Sequence, residues 1–593
     1  MTPFFKYRLL SLVSVVLVLC GCGSDCPPNK LACSPIESTY DSYRRVSQYI
    51  TLPDGNELAV DVLQPLDASG SIVAQPLPVV YTHTVYNRAM YLVKDGDVRQ
   101  NTLVSFGGIA KFGLWLTAFF NDGELVLDQG AISPWVETLI LQGYVVVAVD
   151  TRGTGASPGL PIKEAQEYVT EAGHILDWIV TQPWSNGRVG VFGQSYSAQL
   201  ALMGIATQHP SLEAAFLSST PIEAYESIGF PFGLYAKGFG DNYIAITKDL
   251  DILAAPVDGE LGQQRLTDAL QEREGRRFAD DIAQVFKSSN VDAQKWNRST
   301  ALGVLPKIES SQVKVLGVAG WADIFVDDTI RFLGSRNAPS KLIIRPWHHR
   351  PLLSEAFDFD PAVHAVAWFD HWLKNKRTEI EGSDVDYFSI SASSNDNLEG
   401  KWCKAESWPP TVEPAHLVLE IGDIARSTQL YAISAEAVQI FGEGTTSGIN
   451  SRWNGVLGSG IYEDLLALNP GAYHVNHIVE REFDVVGHPK LTLHVHPSEM
   501  ESTLHVFLEL VSNNDRVRYL SEGVSVIPPM SDEVSIELLP VAFHVRPGDA
   551  LRVTFLAADQ DNFKSRPRQG AIRIKTQDEY LPRIAFGIAR CAN

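Results

Sequence analysis

Basic residues are in short supply: 48 Lys and Arg stand against 70 Asp and Glu over 593 residues, a formal net charge of -22. That deficit excludes a nucleic-acid or anionic-membrane surface as the main partner, because phosphates repel such a protein. Internal repeats and low-complexity tracts are lacking as well, which removes solenoid and disordered readings. With 45% hydrophobic residues the chain can instead bury large cores, in roughly two to four domains for its length.

Long apolar runs are also missing from the amino-terminus, where Leu9 to Leu19 is too short to cross a bilayer. Preceded by Lys6 and Arg8 and followed by Leu19-Cys20-Gly21-Cys22, this run has the layout of a secretory signal ending in a lipobox-like motif. The expectation is a signal peptide over 1–21, a lipid on Cys22, a tether over 22–42, and membrane contact through the lipid alone. That makes an exported bacterial lipoprotein, at the periplasmic face or cell surface, with plain secretion as the alternative. Gly23-Ser24-Asp25 does not place Asp next to Cys22, which favours the outer membrane over the inner.

Cysteine is sparse, with six in all. Export implies an oxidising compartment, where Cys26, Cys33, Cys403 and Cys591 can pair in three ways. The most economical pairing joins Cys26 to Cys33 and Cys403 to Cys591.

What the chain does contain is a regular alternation of strand and helix. Pro53-Asp54-Gly55-Asn56 reads as a hairpin turn between Val46–Leu52 and Glu57–Leu63. Leu77–Thr82 is a buried strand leading into His83-Thr84-Val85-Tyr86-Asn87-Arg88. Arg88 to Ser133 is too apolar for a free loop and is expected to pack as short helices. Tyr144–Asp150 is a continuous apolar strand of the kind found in parallel sheets covered on both faces. Thr151-Arg152-Gly153-Thr154-Gly155-Ala156-Ser157-Pro158-Gly159 is not a dinucleotide fingerprint, since its third Gly falls one place late and Pro158 would break the receiving helix. Glu164–Thr181 is an amphipathic helix with Tyr168, Ala172, Ile175, Leu176 and Ile179 as its stripe.

The next strand ends in Gly193-Gln194-Ser195-Tyr196-Ser197-Ala198, and small and apolar residues at helical spacing follow to Ala206. A Ser on such a strand-to-helix turn is held out at the carboxyl edge of a sheet, where a carbonyl carbon can reach its hydroxyl. The elbow pattern G-x-S-x-G has Ser197 where its second Gly belongs, and an ordinary helix-capping Ser is the plain alternative. A Ser nucleophile needs a base, and the base an orienting carboxylate, in the chain order Ser, acid, His. Two later strands, Val313–Ala319 and Lys341–Ile344, end in Gly320-Trp321-Ala322-Asp323 and in Pro346-Trp347-His348-His349. Asp323 could simply cap a helix over Phe325–Leu333. Asp327 and Asp328 read as solvated, and His364 and His371 as polar-face residues of one helix. No metal is expected, because neighbouring histidines rarely point at one ion and no Cys or carboxylate spacing accompanies them.

Asp150-Thr151-Arg152-Gly153-Thr154-Gly155, Gln182-Pro183-Trp184-Ser185-Asn186-Gly187, Gly193-Gln194-Ser195-Tyr196, Gly320-Trp321-Ala322-Asp323-Ile324-Phe325 and Pro346-Trp347-His348-His349 together resemble the CocE/NonD hydrolases. These belong to the X-Pro dipeptidyl-peptidase class of serine hydrolases, with cocaine esterase, α-amino acid ester hydrolases and glutaryl acylases. The resemblance runs from about residue 45 to the end. It implies an α/β fold: a hydrolase core over 43–220 and 311–380, a helical cap over 221–310, and an all-β jelly roll over 381–593. The alternation by twos after Glu381 fits that last part independently. It further implies Ser195 as nucleophile, Asp323 as acid, His349 rather than His348 as base, and an oxyanion hole made by the Tyr86 hydroxyl and the Tyr196 N–H. Two departures stand out, Ala198 for the last Gly of the G-x-S-Y-x-G elbow and Val85 for the Pro before Tyr86.

The expected activity is cleavage of an ester or amide of a small acyl substrate through an acyl-enzyme, without metal or organic cofactor. An X-Pro dipeptidyl-peptidase acting on short peptides is the alternative within enzymes. A glycan-binding surface lipoprotein that uses only its sandwich is the alternative outside them.

Overall fold

Pro53-Asp54-Gly55-Asn56 does turn the chain: β1 (Ser42–Thr51) and β2 (Glu57–Leu66) pair antiparallel with Thr51 opposite Glu57. Gly55 supplies the positive φ, 84°, that such a turn requires. The structure, a computed structural model, describes residues 36–94, 97–99, 118, 124–287, 299–334, 336, 338–349, 360–378, 380, 384–392, 398–419, 431–433, 437–440, 445–457, 462–470, 472–564, 572–577 and 580–591. The expected signal peptide, Cys22, Cys26 and Cys33 lie outside them. No described helix is long and apolar enough to cross a membrane. The expected tether is not free at its end, because the Thr39 and Tyr40 N–H groups donate to the Leu141 carbonyl at 3.0 and 2.9 Å.

The apolar runs become β3 (Leu77–Thr84), β4 (Val145–Asp150), β5 (Ser185–Gln194), β6 (Leu212–Ser218), β7 (Lys314–Gly320), β8 (Ser340–Arg345) and β9 (Val385–Ser391). Their order in the sheet is β1-β2-β4-β3-β5-β6-β7-β8-β9. β2 is antiparallel to β1 and β4, while every pair from β4 to β9 is parallel. Alternate residues of a strand serve opposite faces. Val145, Val147 and Val149 join one core with α2 (Ala165–Thr181) and α3 (Tyr196–Ala206), whereas Val146 joins another with α1 (Pro134–Leu141) and α8 (Pro361–Lys374). Both faces are covered, which is why β4 reads as an unbroken apolar run. Ile175 and Leu176 of α2 are fully buried, each worth about 2 kcal/mol.

Between β6 and β7 lies the helical region expected there, with α4 (Lys237–Lys248), α5 (Gly262–Glu272) and α6 (Phe278–Lys287). Another helix, α7 (Val326–Gly334), follows the loop after β7. The Arg88–Ser133 expectation of short helices holds only in part: the described residues include antiparallel strands at Met90–Lys94, Asp97–Val98 and Leu125–Leu127 beside helical residues at Ala118 and Gln129–Ile132. Tyr91 and Val93 are of the aromatic and β-branched types that favour a pleated strand over a short helix.

The carboxyl-terminal region is antiparallel β. Tyr473–Ile478, Ala550–Leu556, Ser502–Val511 and Val517–Ile527 form one sheet. Val541–Val545, Phe483–His494, Arg583–Ile588 and Glu413–Val418 lie side by side in the other. Val506, Leu508, Val553, Phe555, Leu491, Leu493, Phe543 and Val545 share the core between them. The expected boundary near residue 380 does not interrupt the sheet, because β9 pairs at its start with β8 and at its end with Val541–Val545, both on the edge opposite Glu399–Ala405. Cys403 and Cys591 are disulfide-bonded with Cα atoms 5.1 Å apart across 188 residues of sequence. Closing so long a loop is worth about 5 kcal/mol in the chain-entropy model.

Two polar expectations also change. His364 is buried rather than on a polar face, and burial, with the charge of Lys341 beside it, lowers its pKa to about 4. Asp328 is not simply solvated: it accepts from the Ile222 and Glu223 N–H groups at 2.8 and 3.2 Å, and burial lifts its carboxyl to about 6.

Candidate active site

Because β3, β5, β7 and β8 run parallel, the loops that follow them gather at one edge of the sheet. At the end of β5 the chain cannot turn into α3 without strain, and Ser195 takes it, with φ 57° and ψ -127°. Gly193 is required by the same turn, since a Cβ there would lie 2.3 Å from the Ser197 carbonyl oxygen. The Ala198 methyl, by contrast, is fully buried among core residues.

The loops after β7 and β8 are laced together. The Trp321 N–H donates to the Arg345 carbonyl at 2.7 Å and the Ala322 N–H to the Trp347 carbonyl at 2.9 Å. A Cβ on Gly320 would sit 2.4 Å from that same Trp347 oxygen, so only Gly permits the approach. Asp323 and His349 thereby face each other, with His349 Nδ1 2.9 Å from Asp323 Oδ1. His349 Nε2 is 3.0 Å from Ser195 Oγ. The His349 carbonyl is held from two sides, by Gln194 Nε2 at 2.8 Å and the Ser219 hydroxyl at 3.3 Å. Asp323 is fully buried, which raises its pKa. The imidazole of His349, with hydrogen bonds from Ser219 and the Phe325 N–H, outweighs that and holds the carboxyl below the usual range. A carboxylate that stays ionised against one imidazole nitrogen fixes the tautomer that leaves the other free to accept the serine proton.

Tyr86 lies just past β3. Its N–H donates to Thr84 Oγ1 at 3.0 Å, and that oxygen is 2.8 Å from the Ser197 hydroxyl on α3. Ser197 therefore ties the Tyr86 turn to the first turn of the nucleophile helix, a function a second Gly could not serve. Asn87 adopts φ 71° and donates from its side chain to the Leu250 carbonyl at 2.9 Å. The buried Arg88 then bonds Asp61 and Asp150 at 2.8 Å each, and the carbonyls of Ala255 and Pro256 at 3.0 and 2.9 Å. Burial would lower its pKa, but the two carboxylates hold it above the ordinary guanidinium value. Asp150 also accepts the Arg88 N–H at 2.6 Å and the Ala156 N–H at 2.8 Å. Gly155 leaves room for that carboxylate, because a Cβ would meet it at 2.2 Å. The Asp150-Thr151-Arg152-Gly153-Thr154-Gly155 stretch is thus scaffolding for the Tyr86 loop.

The Tyr86 hydroxyl is 3.0 Å from the Tyr243 hydroxyl of α4, and the Tyr196 hydroxyl 3.3 Å from that of Tyr168. Tyr196 also packs edge-on against Phe278 of α6, with ring centroids 5.1 Å apart. The helical region between β6 and β7 therefore touches both residues expected at the oxyanion hole. Sequence reasoning did not single out Tyr243, Arg88 or Ser219. Their partners are distant in the chain, and no local pattern distinguishes them.

A serine hydroxyl on a strained strand-to-helix elbow, hydrogen-bonded to an imidazole that in turn meets a buried carboxylate, on a parallel sheet of this order, defines the class of α/β serine hydrolases. Within that class the family model of the X-Pro dipeptidyl-peptidase (S15 family) matches residues 54–351, and the chain belongs to that family. A Mycobacterium tuberculosis (strain CDC 1551 / Oshkosh) protein named as a serine esterase is 25% identical over 618 residues, covering 89% of this chain and 93% of its own. Cocaine esterase of Rhodococcus sp. (strain MB1 Bresler) is 26% identical over 365 residues, covering 56% of this chain and 55% of its own. Among solved structures, a CocE/NonD family hydrolase from Staphylococcus aureus superposes with TM-score 0.64 at 15% identity, over 92% of this chain and 94% of that one. An α-amino acid ester hydrolase gives 0.66 at 15% identity, over 96% and 100%.

Proposed function

We propose that this serine hydrolase cleaves an ester or amide of a small acyl substrate with Ser195 as nucleophile, His349 as base and Asp323 as the acid that orients it. The hydrogen-bonded row Ser195–His349–Asp323 at the elbow carries this reading. Ser195 Oγ attacks the carbonyl carbon as His349 Nε2 takes its proton, and the imidazolium returns that proton to the leaving group. Water, activated by the same nitrogen, then releases the acid from Ser195. The Tyr86 hydroxyl and the Tyr196 N–H stabilise the tetrahedral oxyanion. As the first residue of α3, Tyr196 has no carbonyl four residues back inside the helix to bond.

Labelling with a fluorophosphonate tests the nucleophile. One label on the native protein and none on Ser195→Ala is expected, and equal label on both would end the serine-hydrolase assignment of Ser195. p-Nitrophenyl esters and X-Pro anilides run side by side decide the substrate: esters are expected to turn over faster, and predominant anilide cleavage would establish the dipeptidyl-peptidase reading instead. Tyr86→Phe is expected to lower kcat about 100-fold with little change in KM, the loss typical of one oxyanion donor. A wild-type kcat would remove Tyr86 from the mechanism.

The proposal includes export and lipid attachment at Cys22. Leu19-Cys20-Gly21-Cys22 and the Cys403–Cys591 disulfide support it, since disulfides persist in oxidising compartments. Mass spectrometry of the mature amino-terminus is expected to find an acylated Cys22, and an unmodified chain in the soluble fraction would exclude the anchor.

A further inference from the structure

Arg452 belongs to the carboxyl-terminal β region, 129 residues beyond Asp323, yet its guanidinium is buried against the loop that carries that acid. Nη1 donates to the Asp323 carbonyl at 3.1 Å and Nη2 to the Trp321 carbonyl at 2.7 Å. Both carbonyls belong to the tight turn after β7, where the chain has left the sheet ladder; the Asp323 oxygen also receives the Val326 N–H, at 3.4 Å. One planar fork satisfies the two at once, a geometry a single ammonium cannot reproduce.

The fork is itself held from the far side. Nη2 also donates to the Tyr519 hydroxyl at 2.6 Å, and Nε lies 3.0 Å from Glu522 Oε1. Both partners stand on the strand Val517–Ile527. Tyr462 donates to Glu522 at 2.9 Å, receives the Arg452 N–H at 3.0 Å and stacks on Tyr519 with ring centroids 3.7 Å apart and planes at 3°. The buried charge is offset by the Glu522 carboxylate, which Nε approaches without a hydrogen bond, and the acid loop takes two of the guanidinium's three hydrogen bonds.

We propose that Arg452 is a positioning residue for Asp323: the β region clamps the acid loop through the carbonyls of Trp321 and Asp323 and so keeps the carboxylate aligned on His349. The inference rests on the assignment of Asp323 as the orienting acid. It makes the β region part of the catalytic unit.

The test compares Arg452→Lys with the wild type, alone and combined with Asp323→Asn, measuring kcat and KM on an activated ester and the rate of fluorophosphonate labelling at Ser195. The lysine variant keeps the charge facing Glu522 but can serve only one carbonyl well. It is expected to lose about tenfold in kcat and labelling rate with KM changed less than about twofold. On the Asp323→Asn background the same change is expected to cost less than about twofold, because there is no longer an ionised acid to align. Arg452→Met is expected to lose more than Arg452→Lys. A lysine variant as active as the wild type overturns the proposal, and so does an equal loss on both backgrounds, which would mark a clamp serving the fold alone. If Arg452→Lys does not fold, Tyr519→Phe, which frees one side of the same nitrogen, decides by the same comparison. Absence of label at Ser195 in the wild type would overturn the nucleophile assignment itself, whereas normal wild-type labelling with an unaffected Arg452 variant overturns only the clamp.

Discussion

His349→Ala lowers kcat on an activated ester by about 10⁵- to 10⁶-fold, while His348→Ala leaves it within a few-fold of the wild type. The two residues are neighbours in sequence, so chemistry alone does not separate them; geometry does. Both ring nitrogens of His349 are engaged, one by Asp323 and one by Ser195, and Phe325 packs edge-on against the ring at 5.2 Å. The fold of the loop does not depend on the imidazole, because Gln194 and Ser219 grip the His349 backbone carbonyl and the Trp347 carbonyl is bonded to Ala322. The alanine variant is therefore expected to unfold within a few degrees of the wild type and still bind substrate, with the loss confined to kcat. Comparable losses from the two histidines, or a larger one from His348, would reverse the assignment of the base.

The parts of this site that sequence makes legible are those where one short motif does a local job. Gly193-Gln194-Ser195 is readable because a strained elbow needs a Gly before it and a small-residue helix after it. Gly320-Trp321-Ala322-Asp323 and Pro346-Trp347-His348-His349 are readable because each follows an apolar run long enough to be a buried strand. The order Ser, acid, base then limits the choice. Parallel pairing converts those separate motifs into one cluster, and continuous runs such as β4 announce a sheet covered on both faces, though not its strand order.

What sequence does not expose is support contributed across the fold. Tyr243 meets Tyr86 from 157 residues away, and Arg452 meets Asp323 from a region whose alternating pattern reads only as sandwich. Ser197 is instructive in the other direction. Set against the G-x-S-x-G pattern it looks like a defect, but its hydroxyl joins α3 to the Thr84 oxygen that receives the Tyr86 N–H. His364 misleads because an i, i+7 pair of histidines fits a polar stripe, whereas His364 is buried. Periodicity reports which positions share a face, not what the face meets.

Asp323→Asn provides the second large effect, a fall of about 10⁴-fold in kcat at neutral pH with the fold intact. Asn fills the same space and can still accept a hydrogen bond through its oxygen, but its amide can also rotate to donate to Nδ1. The imidazole then carries its proton on Nε2, facing Ser195, where it cannot accept the serine proton. The variant also removes a buried negative charge. In the wild type the folded pKa of Asp323 lies below its unfolded value, so its ionisation stabilises the native state above the ordinary carboxylate range and that contribution is lost as pH falls through the folded pKa. Acid unfolding monitored by circular dichroism is accordingly expected to be less steep in Asp323→Asn than in the wild type, in the same samples that lose activity. A variant with most of its activity would remove Asp323 from the row. One with lost activity and an unchanged acid transition would keep its place in catalysis but show that its buried charge is not held by folding.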